Sequence, residues 1–319
     1  MPTQSDRIKM SAQVGPEYIG QRLDQAAAAL FSDFSRVRLQ KWLRSGELTV
    51  DNQVLKPTYR IGGGETLVLD ARQERQDEVL PQDIPLNIVH ADADIIVVNK
   101  PAGLVVHPAA GNPDGTLQNA LLYFDESLAT LPRSGIVHRL DKDTTGVMVV
   151  ARSLRAHTSL VVQLQARKMS RIYEALATGA TRRQGTVDAP IGRHRRDRKR
   201  MAVVPSGKPA VTHFRLIRNC GGFSHLQVSL ESGRTHQIRV HMQHIGHPLV
   251  GDSVYGKSLK AVKGLPEPVL EALQSFPRQA LHARRLKLDH PATGKRVEYA
   301  APLPVDLQNL LDTLANAAD

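Results

Sequence analysis

The sequence predicts a two-domain chain that combines α-helices with β-strands, and three observations support this. Its 319 residues are long for one domain. The charged stretch from Asp70 to Asp83 has almost no large apolar residue before Val79, as is typical of a linker. From Ile84 onward, strand-length apolar runs dominate, with several helical segments between them. The second domain is therefore expected to be mixed α/β or α+β.

Four parts of the chain follow from these observations. We expect a flexible, polar N-terminus over residues 1–17, a first domain over 18–70, a linker over 71–83 and a second domain over 84–319. The elements expected in the first domain are helices at Arg22–Phe31 and Arg36–Arg44, the latter with Ser35 as N-cap, and strands at Leu48–Val50 and Glu65–Leu69.

The second predicted helix is amphipathic and strongly basic. Leu39, Trp42 and Leu43 fall on one arc. The basic residues on the other side, with the first at its edge, are Arg36, Arg38, Lys41 and Arg44. An ordinary surface helix would show the same pattern, so the helix by itself does not establish a function.

The second domain contains apolar and alternating runs of strand length. Asp94–Asn99 is suited to a strand that is buried on both faces. Further strands are expected at Val147–Ala151, Val211–Leu216, His225–Leu230, Ala280–Leu288 and Arg296–Ala300, and helices at Leu154–Arg167, Thr235–His244 and Val305–Ala317.

Composition narrows the class of protein. Lys and Arg number 42 against 31 Asp and Glu, and the formal charge of +11 favours a polyanionic partner. A single cysteine, Cys220, excludes an internal disulfide and a thiolate metal cluster. The N-terminus lacks a signal-peptide pattern and no apolar run approaches membrane-spanning length, so we expect a cytoplasmic protein that does not enter a membrane.

The segment His138–Gly146 carries the strongest chemical signal. It reads HRLDKDTTG and places Asp141 and Asp143 in a short loop before a buried strand. A loop aspartate usually caps a turn or pairs with a nearby arginine. Two carboxylates so close would also suit acid/base chemistry at a glycosidic bond. No glycine-rich nucleotide loop is present, so no cofactor is expected.

Two further clusters have alternative explanations. The densest basic run contains Arg193, Arg195, Arg196, Arg198, Lys199 and Arg200. Such a run is usually a solvated loop, but it would also contact phosphates. His236, His244 and His247 share one predicted helix face, yet no Glu or Cys completes a metal site, so no metal is expected.

Four blocks occur in the order typical of the RluA-type pseudouridine synthases, and the chain resembles that family. Besides HRLDKDTTG they are Asp94–Leu104, Arg171–Ala175 and Gly233–His241. A chance match of all four in order is improbable. Residues 18–70 also resemble an S4 RNA-binding domain, a module that lies along structured RNA.

The resemblance implies both a fold and roles for individual residues. It implies an α+β catalytic domain on a mainly antiparallel mixed sheet, with a small N-terminal S4-like domain. Asp141 would be the catalytic carboxylate, kept ionised by Arg239 as a bidentate partner. Tyr173 would stack on the uracil and later act as a general base. Arg139 would occupy the space vacated by the flipped base, and His138 would contact RNA or orient the loop.

Shorter segments, such as Gly111–Thr116 and Gly207–His213, resemble one member that acts on large-subunit ribosomal RNA. We therefore expect that substrate, either free or within an assembling subunit, and a monomeric enzyme. The alternatives are a pseudouridine synthase that acts on transfer RNA, a non-catalytic RNA-binding ribosome-assembly factor, and a glycosidase that uses Asp141 and Asp143.

Overall fold

The computed structural model describes residues 7–31, 34, 36–72, 79–109, 111–197, 200–256 and 264–317. The chain divides into two compact units, Met1–Glu78 and Val79–Asp319. Among the helices in these described ranges, none has the length and apolar character needed to cross a membrane.

The first unit joins a three-stranded antiparallel sheet to two helices. The sheet order is β1-β3-β2. The elements are β1 (Arg7–Gln13), α1 (Leu23–Leu30), α2 (Arg36–Ser45), β2 (Leu48–Val50) and β3 (Thr66–Arg72). The three apolar residues predicted to share one face of α2, Leu39, Trp42 and Leu43, are buried in the core of this unit. Ser35, the predicted N-cap of α2, lies outside the described residues.

The predicted flexible N-terminus is wrong over residues 7–13. They form β1, which pairs along its whole length with β3, from Arg7 opposite Arg72 to Gln13 opposite Thr66. Backbone hydrogen bonds hold an edge strand, so it needs little of the apolar periodicity that a sequence pattern detects. The predicted linker is also shorter than 71–83. β3 continues to Arg72, and the Asn119 side chain binds the Leu80 carbonyl at 2.8 Å.

The second unit is built on a nine-stranded sheet. Its order is β4-β5-β6-β13-β7-β12-β11-β8, with β14 paired to β13. The strands of the unit are β4 (Ile88–Ala91), β5 (Ile95–Lys100), β6 (Thr145–Ala151), β7 (Ser170–Thr178), β8 (Gln184–Asp188), β9 (Ile191–Arg193), β10 (Met201–Val203), β11 (Val211–Asn219), β12 (Phe223–Leu230), β13 (Leu281–Asp289) and β14 (Arg296–Ala300). β9 and β10 form a separate hairpin.

Among the described residues of this sheet, β6 and β13 are the only strands that pair in parallel. All the other strand pairs there are antiparallel. The expected mainly antiparallel mixed sheet of an α+β domain is therefore confirmed. The helices are α3 (Leu117–Phe124), α4 (Leu154–Gln165), α5 (Gln237–His244), α6 (Glu267–Ser275) and α7 (Val305–Asn316).

Alternating residues of β5 and β6 contribute to two different cores, as the period of a strand requires. Ile96 and Met148 belong to the main core with residues of α3 and α5, whereas Val97 and Val149 pack with residues of α4. Because β6 is buried at every position, the loop that precedes it is attached to a rigid strand.

Candidate active site

Asp141 lies in the loop that leads into β6, and hydrogen bonds to the loop backbone hold it in place. The backbone N–H of Thr144 donates to the Asp141 carbonyl at 3.1 Å and closes a turn. The buried Lys100 ammonium donates to the carbonyls of Lys142, Leu104 and Pro101 at 2.8, 2.9 and 2.7 Å. Burial lowers the pKa of Lys100 to about 7, although the charges of Asp143 and Asp141 oppose this shift.

Arg239 of α5 reaches the Asp141 carboxylate. Its Nη1 donates to Asp141 Oδ2 at 3.1 Å, so the expected pairing of the two residues is present. The pair is not bidentate, contrary to expectation. The fork of Arg239 instead binds Asp252, with Nε–Oδ2 at 2.7 Å and Nη2–Oδ1 at 2.9 Å. Both Asp252 oxygens are therefore occupied by Arg239, and one guanidinium nitrogen remains for Asp141.

Asp252 is fully buried and acts as the anchor of this arrangement. Its Oδ1 also accepts the backbone N–H groups of Val254 and Tyr255, each at 2.9 Å. Burial alone would raise the pKa of the Asp252 carboxyl, but the hydrogen bonds and charge of Arg239 hold it below its ordinary value. The Tyr255 ring lies 5.0 Å from the Arg239 guanidinium carbon.

His236 lies close to Asp141, with Nε2 3.9 Å from Asp141 Oδ1. Its other ring nitrogen, Nδ1, is 2.9 Å from the Tyr255 hydroxyl. The backbone of His236 has a left-handed φ of 56°, which explains why α5 begins at Gln237 and not at the predicted Thr235. Burial lowers the pKa of His236, while the Asp141 carboxylate opposes this shift.

Asp141, His236 and Arg239 line a cavity of ≈ 580 Å³. Tyr173 of β7 contributes to its wall and is 6% exposed. Burial raises the pKa of the Tyr173 phenol, a shift that Arg171 opposes and Asp141 reinforces. A phenol that keeps its proton is poorly suited to the general-base role expected from the sequence, whereas its ring remains available for stacking. The exposed cations that also line the cavity are Arg133, Arg139, Arg167 and Arg234.

His138 also lines the cavity, and one of its ring nitrogens is occupied by a contact within the protein. Its Nε2 accepts the backbone N–H of Val149 at 3.1 Å, so the ring is fixed to β6. Burial, with a smaller effect of the Arg171 charge, lowers the pKa of His138 to about 3. A neutral ring of this kind positions the loop. Arg139, by contrast, is exposed at the cavity, as the sequence led us to expect.

The cations predicted on α2 have different surroundings. Arg36 is exposed, but its guanidinium donates to Asp24, a buried carboxylate that Arg22 and Gln40 also bind. Arg38 lies over the Trp42 ring at 4.9 Å. The remaining two, Lys41 and Arg44, are exposed.

The predicted basic run connects β9 to β10. Arg193, Arg195 and Arg196 are exposed. Arg200 is half-buried and lies 5.3 Å from the Tyr255 ring, which links the hairpin to the site. Arg198 and Lys199 lie outside the described residues.

Sequence reasoning missed Asp252, Tyr255 and His236 as site residues. Asp252 and Tyr255 lie beyond the last motif that was recognised, and an isolated aspartate carries no pattern of its own. His236 is inside the Gly233–His241 block, but because it shares a predicted helix face with His244 and His247 it was considered only as a metal ligand. The structure separates those histidines, because His236 contacts Tyr255 and His247 Nδ1 lies 3.0 Å from the Thr178 carbonyl.

Asp252→Asn is expected to slow the isomerisation that the family resemblance implies by about 10- to 100-fold. A loss of this size is typical when a residue that orients a metal ligand through a hydrogen bond is replaced. An asparagine amide would face Arg239 with a donor where an acceptor is needed, and it would leave a buried guanidinium partly unpaired. The free energy of unfolding is expected to fall by about 3–5 kcal/mol. Both are measured on the purified variant, by single-turnover kinetics and urea unfolding.

The matched control is Asp125→Asn, because Asp125 is 12% exposed and pairs with Arg152 at 2.6 Å but does not line the cavity. It is expected to lower stability without changing the rate. An Asp252→Asn rate equal to that of the Asp125→Asn control would contradict the anchoring role.

Comparison with known proteins agrees with this site. Residues 94–244 match the model of the RNA pseudouridylate synthase family. The chain is 57% identical over 310 residues to ribosomal large subunit pseudouridine synthase D of Pseudomonas aeruginosa, covering 97% of each chain. It is 50% identical to the protein of the same name from Escherichia coli K12, covering 97% of this chain and 95% of that one. Among solved structures it is similar to human RNA pseudouridylate synthase domain containing 4, at 27% identity with a TM-score of 0.57, covering 72% of this chain and 93% of that one.

The mixed sheet and the cavity with a carboxylate paired to an arginine are those of an RNA pseudouridine synthase, an isomerase that needs no redox change. The chain belongs to the RluA-type family of these enzymes, and the relatives it matches over nearly its whole length carry the name pseudouridine synthase D.

Proposed function

We propose that the protein converts specific uridines of large-subunit ribosomal RNA into pseudouridine, with Asp141 as the catalytic carboxylate. The observation that carries this proposal is the 3.1 Å pair between Asp141 and Arg239 inside a cavity that is also lined by Tyr173 and by exposed arginines. The substrate class is supported by the names of relatives that are 50–57% identical over 97% of this chain.

Asp141 would act at the sugar of the target uridine. The reaction breaks the N1–C1′ bond, turns the uracil and rejoins it through C5. A carboxylate can add to C1′ as a nucleophile, or it can remove the 2′ proton and allow elimination. Arg239 keeps the carboxylate oriented in either route, because its own position is fixed by Asp252.

The target base must leave its stack to enter the cavity, which costs about a few kcal/mol. Tyr173 offers a ring on which the uracil stacks, a contact worth about 1–3 kcal/mol per base. The exposed Arg139, two residues before Asp141, would fill the space that the base vacates in the RNA.

Phosphate contacts would come from two places. In the second unit, the exposed Arg193, Arg195 and Arg196 of the β9–β10 hairpin would contact phosphates. In the first unit, which we propose is an S4-like RNA-binding domain, the exposed Lys41 and Arg44 of α2 would contact phosphates.

We further propose a cytoplasmic monomer that acts on free or assembling large-subunit RNA.

Tritium release tests the function and its substrate together. Unmodified large-subunit ribosomal RNA that carries tritium at uridine C5 is incubated with the protein, because forming the C5–C1′ bond expels that hydrogen. Release equivalent to a few sites per RNA is expected. Small-subunit ribosomal RNA and transfer RNA, labelled in the same way, are the matched controls and are expected to release none.

Each other outcome identifies an alternative. Release from transfer RNA alone would replace the proposed substrate with the transfer-RNA alternative. Binding of large-subunit RNA without release would support a non-catalytic assembly factor. Release of free uracil in place of tritiated water would identify a glycosidase.

A further inference from the structure

Arg171 of β7 is a buried cation that the chemistry described above does not use. It is 9% exposed. Its Nε is fully buried and has no hydrogen-bond partner, and no carboxylate among the described residues lies within ion-pair distance of its guanidinium. A buried charge without a partner is unfavourable in the free protein. Groups of this kind are retained where a ligand supplies the missing acceptors.

The position of Arg171 identifies where such a ligand would lie. Arg171 and Tyr173 are two residues apart on β7 and therefore share one face of the strand, and both line the cavity that contains Asp141. The guanidinium lies against Gly233, where a Cβ atom would come within 2.5 Å of Arg171 Nη1. Gly233 thus leaves the space in which the guanidinium sits.

Burial without a carboxylate partner among the described residues distinguishes Arg171 from the other arginines that line the cavity. Arg239 is also buried, but it pairs with Asp141 and Asp252. Arg139, Arg167 and Arg234 are exposed and suited to phosphates, which stay outside when a base is flipped. The nine-tenths buried Arg171 lies beside Tyr173, the ring expected to stack on the base.

We propose that Arg171 binds the uracil of the flipped uridine and stabilises the negative charge that forms on it. This inference rests on the proposed function. The guanidinium donates to a carbonyl oxygen of the ring, and its positive charge faces the ring where charge develops. Arg171 would thereby be a further catalytic residue.

The charge follows from the bonds that break and form. When N1–C1′ breaks, its electron pair stays with the uracil and is shared between N1 and the two carbonyl oxygens. At C1′, either a bond to an Asp141 oxygen forms, or the 2′ proton passes to Asp141 and a C1′–C2′ double bond forms. In both routes the uracil is an anion until its C5 bonds to C1′. In the first route this bond displaces the Asp141 oxygen from C1′, and in the second Asp141 returns the proton to C2′. C5 then loses its hydrogen as a proton and N1 gains a proton.

Arg171→Met tests the proposal in the full-length protein, with Arg171→Lys as the conservative variant. With saturating large-subunit RNA, the single-turnover rate of Arg171→Met is expected to fall about 10²-fold, as when one donor to a developing anion is removed. RNA affinity is expected to stay within twofold of wild type. The Tm is expected to stay level or rise, because an unpaired buried charge is removed. Arg171→Lys should recover part of the rate.

Arg285→Met is the matched control. Arg285 lies on β13 opposite Ile172, it pairs with Glu298 at 3.7 Å and it does not line the cavity. The single-turnover rate of Arg285→Met is expected to equal that of wild type.

A second experiment places 5-fluorouridine at the target position of the RNA and follows the disappearance of this nucleoside from digests. Because 5-fluorouracil leaves as a more stable anion, the deficit of Arg171→Met should be several-fold smaller than with uridine.

The outcomes separate this proposal from its rivals. Weaker RNA binding with an unchanged saturated rate would show a phosphate contact and overturn it. A lower Tm, with a rate loss that lysine does not repair, would show a purely structural role and overturn it. An equal deficit with uridine and 5-fluorouridine would also overturn it. If wild type releases tritium and Arg171→Met matches it, only this proposal fails, whereas no release by wild type would overturn the proposed function itself.

Discussion

Replacing Asp141 with asparagine is expected to abolish tritium release, with a loss of at least about 10⁴-fold in the single-turnover rate, as for other enzymes that lose their essential nucleophile or base. The amide keeps the shape of the carboxylate, so the loop and Arg239 should change little. It can neither add to C1′ nor accept the 2′ proton. Tritium release from large-subunit RNA is followed over hours, so that rates this low can be measured.

Asp143→Asn is the matched control, since Asp143 lies two residues away in the same loop. At Asp143 the loop is held through its backbone, since Arg278 Nη1 donates to the Asp143 carbonyl at 3.2 Å. Its rate is expected to remain within a few-fold of wild type. Equal losses in both variants would contradict a site with one catalytic carboxylate, as would more than one per cent of wild-type activity in Asp141→Asn.

Gly146→Ala is expected to remove more than about 4 kcal/mol from the free energy of unfolding, a size reserved for a few mechanisms such as backbone strain and overpacking. Gly146 has a φ of 114°, which side chains of L residues rarely adopt. A Cβ atom there would lie 2.3 Å from the carbonyl oxygen of Ala283 and 2.6 Å from its backbone nitrogen. Backbone cannot move aside as a side chain can, so β6 and β13 would have to separate.

Gly294→Ala provides the comparison, because Gly294 also has a positive φ, of 66°, but a Cβ atom would meet nothing within 4 Å. Its expected cost is about 1–2 kcal/mol, the penalty of a left-handed residue alone. Urea unfolding of both variants measures the difference. A Gly146→Ala cost as small as that of Gly294→Ala would show that the parallel pairing of β6 and β13 tolerates a side chain.

The success of prediction differed between elements for physical reasons. β5 and β6 were located because their apolar runs are local and continuous. α3 was missed, since its capping box uses Thr116 with Asn119, where the usual partner of the N-cap is glutamate or glutamine. β1 was missed because its residues RIKMSAQ are mostly exposed and pair only with β3.

For the site as well, prediction succeeded for residues inside sequence motifs and failed for the contacts between them. Asp141, Tyr173 and Arg239 were selected because they occupy recognisable blocks. Their partners depend on contacts between distant parts of the chain, since Arg239 and Asp141 are 98 residues apart in sequence. The geometry in which Arg239 gives its fork to Asp252 could not be predicted from the sequence, because an arginine pairs with whichever carboxylate the fold brings within reach.

The sequence by itself determined the class of enzyme, the loop proposed to be catalytic, most of the regular elements and the basic character that suits RNA. These depend on local composition, on periodicity and on motifs, each of which is contained in a short segment. Only the tertiary structure decided which carboxylate orients Arg239, that His138 binds β6 and that the buried Nε of Arg171 has no hydrogen-bond partner among the described residues. Those features depend on burial and distance, which arise when β6, β7 and α5 pack around one cavity.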